Sequence, residues 1–174
     1  MKIFLKSIFV IAIIGSIILG YVHEVPYFSN TFEIKYLFFR SLLLGVAIGG
    51  IVGWFLSKKA TDKSDRAPII LFSLVAGMAV FPLLAISSNH ILAKTDPLSI
   101  KALFQKEEPL RTSRFGIAKN TTVTVDAFYL YFAKDGEIER IRTKSQSFKG
   151  MEAGQEIELP IKQGFWGFTF VDIL

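Results

Sequence analysis

The sequence predicts a membrane α-helical bundle of three transmembrane helices followed by a small all-β extracytoplasmic domain, a sandwich or open barrel of four to five strands. Three observations predict it. Residues 1–93 contain three apolar runs, each long enough to cross a bilayer. The region beyond the segment 94–110 is rich in β-branched and aromatic residues that alternate with polar ones. The charges also divide unevenly. Residues 1–93 hold 8 of the 20 basic and 4 of the 15 acidic residues, a net of +4, while residues 94–174 hold 12 and 11, a net of +1.

Composition removes other classes. With 51% hydrophobic residues and 17 phenylalanines the chain is no disordered polymer. It has no cysteine, so neither a disulfide scaffold nor a cysteine zinc site is available. The excess positive charge lies in the apolar half, which suits membrane-flanking charge and not the basic face of a nucleic-acid binder. No nucleic-acid partner and no cofactor is expected.

The first run is Ser7 to Val22, preceded by Ile3 to Leu5 and extended if Lys6 snorkels. It reads as an uncleaved anchor and not a signal peptide, because no small-residue cleavage pattern follows it. The second run is Tyr36 to Leu56, with Arg40 near enough to its end to snorkel. The third, Ala67 to Ala93, has 27 residues without a formal charge, and Pro82 within it predicts a kink. The expected helices cover about 3–22, 36–56 and 68–92, within a transmembrane domain at 1–93.

Orientation is read from basic residues near the spans. Lys2, Lys6, Lys58, Lys59, Lys63 and Arg66 fall on one side, against Lys35, Arg40, Lys94, Lys101 and Lys106 on the other. The short second loop is the densest in positive charge. The expectation is a multi-pass protein of the plasma (inner) membrane, with the N-terminus cytoplasmic and the C-terminal domain extracytoplasmic.

Gly45, Gly49 and Gly53 recur every four residues and so share one helix face. Missing side chains there let another helix approach closely. The approaching helix belongs either to the same bundle or to a second copy or a partner protein.

Residues 94–110 are expected to form a short helix and linker. Thr95-Asp96-Pro97 reads as a helix start, continued over Leu98 to Gln105 and ended by Lys106-Glu107-Glu108-Pro109. The β domain is expected at 111–174. Its strands are a short one near Phe115 to Ala118, then Thr121 to Ala133, Ile138 to Thr143, Gln155 to Lys162, and Phe165 to Ile173. Asp135-Gly136 marks a hairpin, because glycine accepts the positive φ that such a turn needs. The last strand would place Trp166, Phe168 and Phe170 on one face and Phe165 on the other. These four aromatics read as core, or as a wall for a ligand, a partner or the membrane surface.

No catalytic constellation is visible. The two histidines, His23 and His90, are expected at the outer membrane boundary, where Glu24, Glu33 and Asp96 are also expected. A polar or metal site there is a weak candidate, formed from His23, Glu24, His90 and Asp96. The function class that fits best is a non-enzymatic interaction or assembly subunit of an envelope complex. Its partners would be the lipid bilayer and a membrane or envelope protein, with self-association as a variant. The alternative is an enzyme or transport-associated subunit that uses the boundary site.

Overall fold

A computed structural model of the chain describes residues 2–94, 98–111 and 125–172. It has three long apolar helices followed by a five-stranded, curled antiparallel sheet. The helices are α1 (Lys2–Asn30), α2 (Ile34–Ser57) and α3 (Arg66–Ile91), with a single 3-10 turn, Lys63–Asp65, before α3. The strands are β1 (Leu98–Arg111), β2 (Val125–Lys134), β3 (Glu137–Thr143), β4 (Glu156–Gln163) and β5 (Thr169–Val171). The chain divides into two compact units. One takes the chain through Phe28 together with Glu33–Ala93 and Gly164–Phe168; the other takes Ser29–Phe32, Lys94–Gln163 and the chain from Thr169 onward.

In the helical unit α2 and α3 form the tightest pair. The buried positions of α2 are Leu37, Ser41, Gly45, Gly49, Gly53 and Ser57, one in every four. Gly45 lies against Gly77, Gly49 against Ser73, and Gly53 against Ile70. The falling numbers on α3 make the pair antiparallel. Serine hydroxyls on these faces are satisfied within their own helices: Ser41 donates to the Phe38 carbonyl, Ser57 to Trp54 and Ser73 to Ile69. α1 runs parallel to α3, with Gly20 against Leu83 and Glu24 facing His90. The Tyr21 hydroxyl donates to the Ala79 carbonyl at 2.8 Å. α1 continues through Pro26 to Asn30, past the end expected near residue 22. The bundle is therefore up-down-up, with the α2–α3 linker at one end and the α1–α2 turn at the other.

The sheet order is β3-β2-β1-β4-β5. β1 is its long central strand. Its first half, Leu98 to Leu103, pairs with β4, and Leu103 to Arg111 pairs with β2. A register shift between Phe104 and Lys106 bends the strand where it changes partners, and a second lies between Leu110 and Arg111 at its end. The result is a half-barrel and not a two-layer sandwich.

β1 corrects the expected short helix at 94–110. Ala102 and Phe104 are buried while Lys101 and Leu103 point outward, a period of two and not of 3.6. Local sequence suits a helix, yet the segment is drawn out because two strands bond to its two sides. Pro109 lies in the half of β1 that has no β4 neighbour, where a missing N–H costs no ladder bond. The expected start of that helix, residues 95–97, lies outside the described residues, as does the expected strand at 115–118 and the beginning of the one at 121–133. The hairpin at Asp135-Gly136 forms with φ of 52° and 85°, and Lys134 pairs with Glu137.

The core of the β unit contains Leu130, Phe132, Ile141, Leu159 and Val171, all fully buried. One short segment engages both open edges of the sheet. The Asn30 amide donates to the Arg142 carbonyl at 2.8 Å and accepts from the Arg142 N–H at 2.7 Å, on edge strand β3. Thr31 bridges to Phe170, and the Phe32 N–H donates to the Thr169 carbonyl at 2.9 Å, on edge strand β5. The Phe32 ring enters the core edge-on to Phe132. Ser29–Phe32 thus plugs the mouth of the half-barrel and protects edges that would otherwise recruit other chains.

Candidate functional site

The expected strand over 165–173 is shorter than its pattern suggests. Only Thr169–Val171 is extended, and Gly164–Phe168 is a loop of the helical unit. The four aromatics therefore do not alternate across one strand. Phe165 and Trp166 are exposed, Phe168 packs with Leu37, Ala85 and Ile86, and Phe170 is buried on β5.

Asn89 holds the loop. It is 2% exposed at the end of α3. Its side chain donates to the Phe168 carbonyl and accepts from the Trp166 N–H, both at 3.1 Å, while its own carbonyl accepts from the Phe165 N–H. The Trp166 indole N–H donates to the Ser88 hydroxyl at 2.8 Å. Gly164 lies directly on the Asn89 amide, so a β-carbon there would displace it. Replacing Asn89 by alanine is expected to destabilise the helical unit by about 2 kcal/mol, because the Trp166 N–H loses its partner and the Phe168 carbonyl keeps only the Gly164 N–H. The companion observable is a red shift of Trp166 emission in a Trp54→Phe background as the indole is released to water.

The loop roofs a cavity of about 130 Å³. Its floor is Leu37, Ser41, Ala85 and Phe168, all buried. Its rim is Arg40, Leu44 and Trp166, all exposed. The Arg40 guanidinium lies 5.7 Å from the Phe168 ring centroid. Among the described residues no carboxylate pairs with Arg40. The cavity is thus apolar, with one cation at its mouth.

The second candidate is the polar cluster on α1 and α3. Glu24, expected just past the first helix, sits inside it and is buried. Its Oε2 lies 3.3 Å from His90 Nδ1 without the alignment for a hydrogen bond. That nitrogen is also 3.2 Å from the Ile86 carbonyl, which can only accept, so Nδ1 carries the proton. The Tyr27 ring stacks on His90 at 3.6 Å and 1°. His23 is largely exposed, with Nδ1 3.4 Å from Glu24 Oε1. Asp96 lies outside the described residues. Among the described residues no three His, Asp or Glu side chains converge to hold a metal ion. What this cluster does in the structure is join α1 to α3.

Asn30 and Asn89 were not expected from the sequence, and Arg40 was expected only as a snorkelling residue and a boundary charge. Their position inside or beside an apolar run is the only signal the sequence carries for them, and it names no partner. No protein-family model, curated protein or solved structure matches the chain.

Proposed function

We propose that the chain is a multi-pass integral membrane protein whose β unit is held outside the cytoplasm, where it serves as a non-enzymatic interaction or assembly subunit of an envelope complex. One observation carries the reading. Large apolar side chains stand exposed on all three helices: Ile11 is 69% exposed on α1, Phe39 60% on α2 and Phe72 70% on α3. Water does not tolerate such a surface, and lipid does. Tyr36 and Trp54 are 18 positions apart on α2, about 27 Å of helix, against a hydrocarbon core of about 30 Å. Lys58 lies 3.5 Å from the Trp54 ring centroid, the aromatic and cationic pairing of a membrane boundary.

The charge count supports the cytoplasmic N-terminus. Lys101 and Lys106 belong to β1, where they pair with Glu156 at 2.7 Å and Glu108 at 2.8 Å. The hydrogen bond to each carboxylate raises the lysine above its ordinary pKa. Residues inside a folded domain bear little on orientation. Lys35, Arg40 and Lys94 then stand alone against the six residues at the opposite end.

A chain without cysteine makes the test direct. Ser64→Cys is in the α2–α3 linker and Ser145→Cys follows β3; both positions are exposed. An impermeant maleimide added to intact cells is expected to label residue 145 and to reach residue 64 only after lysis. The opposite pattern overturns the orientation. For the assembly role, gentle extraction and crosslinking are expected to return the chain with a partner protein. Recovery solely as an isolated monomer overturns it.

A further inference from the structure

We propose that the cavity beneath the Gly164–Phe168 loop is a site for an anionic phospholipid, with the first carbons of one acyl chain on its floor and the phosphate at Arg40. The inference rests on the membrane reading above and adds a ligand to it. Four features lead to it. First, the floor formed by Leu37, Ala85 and Phe168 is apolar, and its one polar side chain, Ser41, is satisfied by the Phe38 carbonyl at 2.8 Å. Nothing there recognises a polar metabolite.

Second, a volume of about 130 Å³ is too small for a whole cofactor or metabolite, since such pockets hold roughly 300–1,000 Å³. It suits a short segment of a longer molecule whose remainder lies outside. Third, the only charged side chain lining the cavity is Arg40, at the rim and free of any carboxylate among the described residues. A guanidinium offers paired donors that match phosphate oxygens, and among the described residues the cavity lining carries no carboxylate. Fourth, the roof is pre-organised. Asn89 fixes the backbone of Trp166 and Phe168, and Ser88 fixes the indole, so binding orders little. Arg40 is six residues into α2 and Ala85 six residues before the end of α3. In a membrane helix pair that depth places the cavity below the headgroups, within reach of both a phosphate and an acyl chain.

The chain has only two tryptophans, Trp54 and Trp166. The Trp54→Phe variant therefore reports from the cavity rim, and the Trp166→Phe variant reports from the far end of α2. Each is reconstituted into phosphatidylcholine vesicles containing a minority of either brominated phosphatidylglycerol or brominated phosphatidylcholine. Trp166 is expected to be quenched at about fivefold lower mole fraction by the brominated phosphatidylglycerol, the strength of one arginine contact to an anionic lipid. Adding Arg40→Gln to the Trp54→Phe variant is expected to abolish the difference, and Arg40→Lys to retain part of it. Equal quenching of Trp166 by the two lipids overturns the inference. So does a preference for phosphatidylglycerol that Arg40→Gln leaves intact. Trp54, with Lys58 on its ring, is expected to be quenched by both lipids, more strongly by the phosphatidylglycerol, and this preference is expected to survive Arg40→Gln. Failure of either lipid to quench Trp54 overturns the membrane reading itself, so the two failures are distinguishable.

Discussion

Replacing Gly49 by alanine is expected to destabilise the helical unit by about 2 kcal/mol, while the same change at Gly50 is neutral or stabilising. A β-carbon on Gly49 would run into the Ser73 carbonyl and lie 3.1 Å from the Leu74 Cα. Those are backbone atoms of α3, so relief requires the helices to move apart. On Gly50 the nearest atom is a methyl of Leu74 at 3.5 Å, an ordinary contact. There alanine brings only its better helix propensity, up to about 1 kcal/mol. Gly45 repeats the argument, since its β-carbon would strike the Gly77 carbonyl. On the proposed membrane reading no hydrophobic gain holds the two helices together, so van der Waals contact along this seam has to supply the affinity. Reversible unfolding in mixed micelles is the measurement. Equal stabilities for Gly49→Ala and Gly50→Ala would show that the close approach is not what holds the pair.

In the β unit the largest single loss is expected from Asn30→Asp. Asn30 is 1% exposed, and its amide matches both hydrogen-bonding groups of Arg142. Aspartate keeps the acceptor and loses the donor, leaving a buried negative charge against the Arg142 carbonyl. About 3 kcal/mol or more is expected, the range for an uncompensated buried charge. Asn30→Ala removes both bonds without adding charge, and about 2 kcal/mol is expected. Hydrogen exchange at the Arg142 amide separates this from general unfolding. It should accelerate in Asn30→Ala while the Leu130 amide, in the interior of the sheet, stays protected under native conditions. Unchanged exchange at Arg142 would mean that Asn30 does not close the β3 edge.

The parts of the fold legible in the sequence are those encoded locally. A run of apolar residues without charge can be a membrane-length helix on its own terms, and the three runs are three helices. Asp135-Gly136 specifies its hairpin because the positive φ values it accepts are a property of two residues. The pattern at β4 is equally plain, with Ile157, Leu159 and Ile161 buried between exposed neighbours. The candidate site was legible only in its composition. Trp166 and Phe168 stand out as aromatics, but the alternation that suggested a strand is a coincidence of spacing in a loop. Nothing in that spacing shows that a distant asparagine holds it.

The sequence by itself determined the apolar helices, the division of the chain into helical and β regions, and the small-residue face of α2, because each follows from side chains a few positions apart. Only the tertiary structure decided that residues 98–111 form the central strand of the sheet, since helix and strand propensities there differ by less than the pairing energy that two neighbouring strands contribute. It also decided what Asn30 and Asn89 do. Their partners lie 112 and 79 positions away, and an amide is indistinguishable from a surface residue until the backbone it bonds has been brought to it. Arg40 follows the same rule: read alone it is a cation near a helix end, and it becomes the mouth of a cavity once Phe168 is folded against α2.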